Sequence, residues 1–409
     1  MITSLSKKMM RRSFEKTRYR FAAVPSRRID GKFLAYVHVP FCHTKCNFCP
    51  FYKELYSEEA KNRYVDAVVK EIDGAYMQGE ASSVYFGGGT PNTLSINDLE
   101  KIVGAIRKKV KTDEIGMEAM PNLLDSEYLE GLKKIGFKKI SMGVESLSDE
   151  VIGKSGRQKA GYKKIRDVVA IAKSVGLWVN VDMMIGLPGQ KVAGFRNDMG
   201  RIAEIMPNQI TVYPFMKLRN VIAEPGLPSM EQFALIEESA KSLEQYGYSR
   251  KNVWTMALEG KACGIYDTSG EELDIEYMGF GAGAFSSHDG WSVMNPELDV
   301  YLENVENGKK MGFVARKSKM ADDWQRFASM IYNLKCQKSE RFPAAINAYV
   351  GLLGITGHAK NGELTEKGKV FSHEVTKSVV ESLPFPLQNG GCVENYEEYI
   401  LHKTKTAGK

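Results

Sequence analysis

The sequence predicts an α/β fold built on a parallel sheet. Six short apolar runs alternate with amphipathic stretches between residues 34 and 214. Helical crossovers between buried strands are what join parallel neighbours. The cysteine motif and the glycine run each follow the end of an apolar run, where folds of this class gather their chemistry. Periodicity alone does not separate a doubly wound sheet from a barrel.

Residues 34–39 read as the first strand, ended by Pro40, which offers no amide donor. A helix over 57–78 carries Ser57 and Glu59 at its start, and 83–86 form a second strand that runs into Gly87-Gly-Gly89. The helix over 95–110 opens on Ser95 with Asp98 three residues on, a capping-box spacing. Residues 115–119 are a strand, and 125–135 a helix stopped by Gly136. Strand 139–144, helix 161–175, strand 178–185, helix 192–206 and strand 209–214 complete six units. From Met230 the pattern changes. A helix is expected over 231–245, then the Gly-rich Met278-Gly-Phe-Gly-Ala-Gly-Ala-Phe285. Helices follow over 297–307, 322–333 and 342–350, and a last one opens at Leu364-Thr-Glu-Lys-Gly368.

A length of 409 residues suits two or three domains, and 43% hydrophobic residues supply a large core. The net charge of +6 is too mild to argue for nucleic acid. No apolar run is long enough to span a membrane, and the basic start lacks the apolar core of a signal peptide. The chain reads as cytoplasmic. Its Arg-rich lead-in reads as a solvated arm, with pairing to substrate carboxylates as the sharper alternative.

The most telling stretch is Tyr36-Val-His-Val-Pro-Phe-Cys-His-Thr-Lys-Cys-Asn-Phe-Cys-Pro-Phe-Tyr52. Cys42, Cys46 and Cys49 are spaced so that three thiolates can wrap one [4Fe–4S] cube. Three ligands leave one iron open for a substrate or cofactor. Zinc is the rival, because His38 or His43 would complete a set of four. Cys263, Cys336 and Cys392 are scattered singly, which fits reduced packing or surface thiols rather than a disulfide framework. Glu118 and Asp182 are charges inside apolar runs, and each needs a partner there.

A Cys-x3-Cys-x2-Cys loop after a strand resembles the radical S-adenosylmethionine (SAM) superfamily. Tyr36-x-His-x-Pro-Phe-Cys42 and Gly87-Gly-Gly-Thr-Pro91 resemble its HemN-like family, that of oxygen-independent coproporphyrinogen III oxidase. The resemblance runs from about Leu34 to about Leu383. It implies a partial (β/α)6 TIM-like barrel with a mostly helical HemN-like C-terminal domain. The expected divisions are a basic segment 1–30, a radical SAM core 31–230, a C-terminal domain 231–383 closing the barrel opening, and a mobile tail 384–409. A winged-helix DNA binder is the weaker reading of that second domain.

The resemblance also implies SAM chelated to the open iron and cleaved to methionine and a 5′-deoxyadenosyl radical. It places Gly88, Gly89 and Thr90 against the methionine part of SAM, and Tyr36 and Phe48 beside its adenine or the cluster. Glu118 would meet a ribose diol or the SAM ammonium, and Phe285 would line the same SAM. Glu145, Arg157, Asp182 and Met216 match a second SAM-sized site, although many relatives carry Gln at the Glu145 position. Two SAM molecules are therefore expected. Glu145, Tyr213 and His288 are the candidate acid–base residues, placed at strand ends or in the cap.

The reaction is narrowed by departures from the family. Phe51 stands where coproporphyrinogen enzymes usually have a fourth cysteine, and Arg250-Lys-Asn-Val-Trp-Thr-Met256 lacks the His-Asn…Tyr-Trp signature of the haem chaperones. Class C radical SAM methyltransferases share the scaffold, and 34–42 with its Arg-rich lead-in looks most like a haem-degrading or quinone-modifying branch. The expectation is methyl or methylene transfer to an sp2 carbon of a tetrapyrrole, quinone or heteroaromatic. Coproporphyrinogen dehydrogenation and haem trafficking are the alternatives, and a flavodoxin or ferredoxin is the implied electron donor.

Overall fold

The computed structural model describes residues 17–26, 28–218, 220–258, 276–383, 385–387 and 390–407. The six expected strands are Arg28–Val39, Tyr76–Gly88, Ile115–Ala119, Lys139–Glu145, Trp178–Ile185 and Gln209–Pro214, paired in parallel in chain order. Helices Glu58–Asp73, Ile96–Lys109, Ser126–Lys134, Tyr162–Ser174 and Val192–Glu204 make the crossovers. The sheet stays open, ending at Arg20–Ala23 on one edge and Ser249–Arg250 on the other. The fold is the α/β architecture expected.

Capping explains the helix starts. Ser57 accepts from the Ala60 amide, and Ser95 with Asp98 forms the reciprocal capping box. Asp98 also takes the buried Lys61 Nζ at 3.2 Å, which ties the first two helices together. The first helix ends at Gly74, earlier than its periodicity suggests. Residues from Tyr76 instead extend the second strand against residues from Arg28, with Gly79 opposite Gly31. A Cβ on Gly79 would lie 2.3 Å from the Gly31 carbonyl oxygen, so this close approach requires glycine.

Alternate residues of the core strands divide the sheet into two faces. Val37, Phe86, Met117, Ile140, Val181 and Val212 face the helices and are fully buried among their apolar residues. Positions of the other parity hold Tyr36, Tyr85, Glu118, Ser141, Asn180, Asp182 and Thr211. That inner face is where the chemistry lies.

The C-terminal half contributes more strand than its composition suggests. Glu276–Phe280 lies parallel to Arg28–Val39 as a seventh parallel strand, and Phe285–His288, Trp291–Met294 and Met311–Arg316 continue the sheet antiparallel. These strands are four to six residues long, too short for periodicity to mark. The one local signal is Asp289-Gly290, whose φ values of 47° and 71° make a two-residue hairpin turn. Helices Lys319–Tyr332, Ala344–Ile355 and Glu366–Ser382 do form a separate apolar cluster around Phe327, Tyr349 and Val375.

The tail expected to be mobile is docked. Helix Tyr396–Ala407 brings Tyr399 against Phe21 and Phe313, with ring centroids 4.9 and 4.8 Å away. Tyr19 exchanges backbone hydrogen bonds with the tail, donating to Cys392 at 2.8 Å and accepting from Glu394 at 2.8 Å. Residues 1–16, which carry much of the basic lead-in, and Cys263 lie outside the described residues. Among the described residues no helix is long and apolar enough to cross a membrane.

One buried network fastens the helix Glu366–Ser382 to the core. Trp254 Nε1 donates to His373 Nδ1 at 3.2 Å, so the His373 proton sits on Nε2 and points to Glu237 at 2.7 Å. Glu237 also holds Arg250 at 2.6 Å. Burial raises the Glu237 carboxyl, yet His373 and Arg250 hold it down to about 2. Removing it strands two buried donors. Glu237→Ala is therefore expected to cost about 3 kcal/mol in urea unfolding, and a loss under 1 kcal/mol would show that the network does not hold the helix.

Candidate active site

The cysteine loop is braced on several sides. Phe41–Cys42 pairs with Glu54–Leu55, closing the loop on itself. Glu54 donates its amide to Pro40 at 2.7 Å, and Tyr56 to Cys42 at 3.0 Å. Asn47 donates to the carbonyls of Ser155 and Lys154, and its own carbonyl accepts from Ile222 and Ala223. His38 reaches the return segment of the loop: Nε2 lies 3.0 Å from the Tyr52 carbonyl oxygen. Burial lowers the His38 imidazole to about 4, so it is neutral.

Cys42 is buried, Cys46 and Cys49 are half-buried, and all three are free thiols. Burial pushes the Cys42 thiol up to about 11 and raises Cys49, and the neighbouring cysteines raise both further. Three thiols near enough to repel one another are a donor set for a metal, whose binding expels their protons. Among the described residues no three His, Cys, Asp or Glu side chains converge on a single ion. Cations already stand by: the Arg157 guanidinium lies 3.8 Å from Cys46 Sγ, and Lys53 donates to the Cys49 carbonyl at 2.9 Å. Cys42 Sγ lies 3.3 Å from Thr90 Oγ1. Thiols with cationic neighbours fit an iron–sulfur cluster well.

The glycine run sits hard against the first strand. A Cβ on Gly87 would fall 2.9 Å from the Tyr36 ring, one on Gly88 2.6 Å from the His38 ring, and one on Gly89 2.7 Å from the Pro40 carbonyl carbon. The glycines therefore bring the second strand end onto the cysteine loop, whatever ligand they also meet.

Beyond the loop, three carboxylates share the inner face. Glu118 accepts from the Gly88 amide at 3.2 Å and has no ion pair among the described residues. Burial, then Asp182 and Glu145, push it up to about 8. Glu145 lies 3.5 Å from Arg157; burial raises it to about 7, against Arg157 and with Asp182. Asp182 accepts from Ser141 at 2.5 Å and Asn180 at 2.7 Å, and burial still raises it to about 6. Among the described residues Arg157 is the only cation paired to the three, and it is shared with the Gly143 carbonyl at 2.7 Å. Glu145 has a φ of 66° at a bulge in its strand. A non-glycine residue held there is strained, a common mark of a functional position.

Several of these partners carry no motif. Gly143 is one: a Cβ there would fall 2.5 Å from Arg157 and 2.9 Å from Glu145. Ser141, Asn180, Thr211 and Gln209 form a buried chain of hydrogen bonds, Gln209 to Thr211 at 3.1 Å, Thr211 to Asn180 at 3.0 Å and Asn180 to Ser141 at 2.6 Å. It ends on Asp182. Polar residues of one parity recurring on three neighbouring strands are the signal that would have found them.

The other candidates divide. Tyr36 stacks on Tyr277 with centroids 5.9 Å apart and faces the site from the first strand, and Phe285 packs against Tyr277. Phe48 is buried with Leu187, Phe215 and Leu218, and Met216 packs on the same cluster, so both back the cysteine loop. Tyr213 lies on the inner face edge-on to Trp254. His288 does not join the site. Its strand runs back antiparallel, so His288 pairs with Trp291 near Glu276, at the opposite end of the sheet from Val39 and Gly88.

A model of the radical SAM superfamily matches residues 36–202. Among curated proteins, the anaerobilin synthase of Escherichia coli O157:H7 is 28% identical over 315 residues, 72% of this chain and 70% of that one. The heme chaperone HemW of Synechocystis is 29% identical over 275 residues, 63% of this chain and 66% of that one. The chain thus spans about two-thirds of the length of these relatives. The solved coproporphyrinogen III oxidase HemN of Escherichia coli shares the fold, with a TM-score of 0.70 and 22% identity over 88% of this chain and 91% of that one. Residues 36–202 carry the radical SAM domain, and the relatives that match are HemN-like proteins. A radical SAM domain implies a [4Fe–4S] cluster and SAM, and the thiols and cations described above fit the cluster.

The raised carboxylates fix a pH dependence. Each binds protons in the folded chain at a pH where the unfolded chain has released them. Stability is therefore greatest below the unfolded pKa and falls as pH rises through the folded values of about 6 to 8. Without SAM, the urea midpoint is expected to drop between pH 5 and 8, and Glu118→Gln should remove up to about 1.4 kcal/mol per pH unit of that slope. Parallel pH profiles for the two proteins would overturn the assignment.

Proposed function

We propose that this chain is a radical SAM enzyme that carries out class C methyl or methylene transfer to an sp2 carbon, with a tetrapyrrole as the favoured acceptor. The observation that carries it is the position of Arg157, with one face toward Cys46 and another toward Glu145 beside Asp182 and Glu118. One guanidinium thereby joins a cluster ligand to a face where carboxylates outnumber the cation beside them. SAM brings a sulfonium and an ammonium, and two SAM molecules would offset the carboxylates on both sides of Arg157. The tetrapyrrole preference draws on the relatives, which include an anaerobilin synthase and a heme chaperone.

When bound through Cys42, Cys46 and Cys49, the cluster supplies the electron that cleaves SAM to methionine and a 5′-deoxyadenosyl radical. The chain's own groups hold and orient. Gly88, Gly89 and Thr90 frame the methionine end, and Tyr36 flanks the adenine. Glu118 takes the ammonium or a ribose diol. Arg157 pairs with the carboxylate of the second SAM, and Asp182 with its ribose diol. The hydrogen-bond chain from Gln209 fixes the Asp182 carboxylate. Glu145, strained and near neutrality, is the acid–base group, and Tyr213 is the nearby alternative.

The test is anaerobic turnover of the reconstituted protein with SAM and a strong reductant, with and without haem or a menaquinone. 5′-Deoxyadenosine and S-adenosylhomocysteine should both rise with one acceptor. Deoxyadenosine without homocysteine would favour a dehydrogenase of the coproporphyrinogen type, and tight haem binding with neither product would favour a chaperone. Asp182→Asn is expected to cut S-adenosylhomocysteine about tenfold, the effect of some 1.4 kcal/mol, while sparing uncoupled deoxyadenosine. Equal losses of both products would place Asp182 at the first SAM instead.

A further inference from the structure

A groove of about 270 Å³ beside the cysteine loop is lined by Lys45, Cys46, Cys49, Phe51, Lys53 and Ile222, among others. None of Glu118, Glu145, Asp182 and Arg157 lines it. Two of the three cluster cysteines thus line a groove that the carboxylates do not share.

The rim of the groove is apolar and basic. Phe51 is 53% exposed and Ile222 81% exposed, unusual values for such large apolar side chains this close together. Among the described residues, Lys45 and Lys53 are the charged side chains lining the groove, and no carboxylate lines it. Lys45 is also paired to Glu54 at 3.3 Å. The backbone beneath is rigid: Ile222 donates its amide to the Asn47 carbonyl at 3.1 Å, and Asn220 Nδ2 donates to the Pro50 carbonyl at 2.8 Å.

We infer that the exposed Phe51–Ile222 patch with Lys45 and Lys53 is the docking surface for a small acidic one-electron carrier protein. The inference rests on the radical SAM reading, because it gives the groove its purpose. In the encounter the donor loses one electron and the cluster behind Cys46 and Cys49 gains it; no proton or leaving group moves. Charge complementarity selects the partner: a basic rim attracts an acidic surface, and exposed apolar residues supply the short-range contact. Electron-transfer encounters use small interfaces, which suits a patch of this size. An acidic small-molecule substrate is the competing occupant, but it would have to react on the side away from the SAM-binding cavity.

The test uses the reconstituted full chain and purified flavodoxin as the probe, with Lys45→Glu and Ile222→Asp as variants. Flavodoxin binding, followed by interferometry, should weaken at least tenfold in each variant and weaken with added salt in the wild type. Deoxyadenosine formed with dithionite, which needs no docking, should stay within twofold of wild type, while that formed with reduced flavodoxin falls. Variants that bind flavodoxin as the wild type does would overturn the proposal. So would variants that keep flavodoxin binding but raise the KM of an acidic tetrapyrrole, which would make the groove a substrate mouth. Absence of deoxyadenosine from the wild type with dithionite would defeat the radical SAM reading, and the binding comparison would still decide the surface.

Discussion

Glu118, Glu145 and Asp182 share a confined space with one guanidinium, and that imbalance governs the site. Burying a carboxylate without a counter-charge costs several kcal/mol, so each is pushed toward its neutral form. A cationic ligand reverses this by letting the carboxylates ionise. Binding and ionisation are thereby coupled, and the chain gives up some stability without its ligand to gain affinity with it. Arg157 cannot relieve all three, because it is also committed to the Gly143 carbonyl and faces Cys46.

The two faces of the sheet make that arrangement affordable. The outer face is apolar and packed against the helices, with Val37, Phe86, Ile140 and Val212 fully buried. This face holds the strands in register without any help from the inner one. The inner face is then free to carry groups that would otherwise destabilise a core. Its polar residues are satisfied by one another: Gln209, Thr211, Asn180 and Ser141 pass hydrogen bonds in one direction toward Asp182. A half-satisfied chain would cost more than an apolar core, so Asp182 serves both as its terminal acceptor and as a charge facing the cavity.

Much of this was legible in the sequence where local chemistry decides the outcome. The six strands and their crossovers follow from periodicity, and Ser57 and Ser95 cap helices as their spacing predicts. The cysteine loop and the glycine run were legible because their function needs fixed spacing. Asp182 and Glu118 stood out as charges in apolar runs. What escaped depends on pairing between distant segments. The seventh parallel strand and its antiparallel neighbours are too short to show a period, and the two ends of that group pair with Arg28–Val39 and Arg20–Ala23, more than two hundred residues away. The tail looked free because its anchor, Phe21 with Phe313, is formed by the other end of the chain. His288 looked well placed beside a glycine turn, yet strand direction puts it at the wrong end. Gly143 carries no motif at all; only the space left for Arg157 explains it.

The cysteine loop is in effect a thin wall between two environments. On its inner side lie the carboxylates and the strand ends, and on its outer side the groove edged by Lys45 and Phe51. A wall of this kind is useful only if it does not move, because reorganisation around a changing charge adds directly to the barrier for electron transfer. The bracing meets that need. The loop is tied to Pro40 below, to Ser155 through Asn47, to the segment at Ile222 and Ala223, and to His38 through Tyr52. Anchors on three separate parts of the chain leave little freedom for a loop whose own sequence offers no secondary structure beyond a two-residue strand at each end. His38 suits this task because burial keeps it neutral. A charged imidazole would add a buried cation to a loop already served by Arg157 and Lys53.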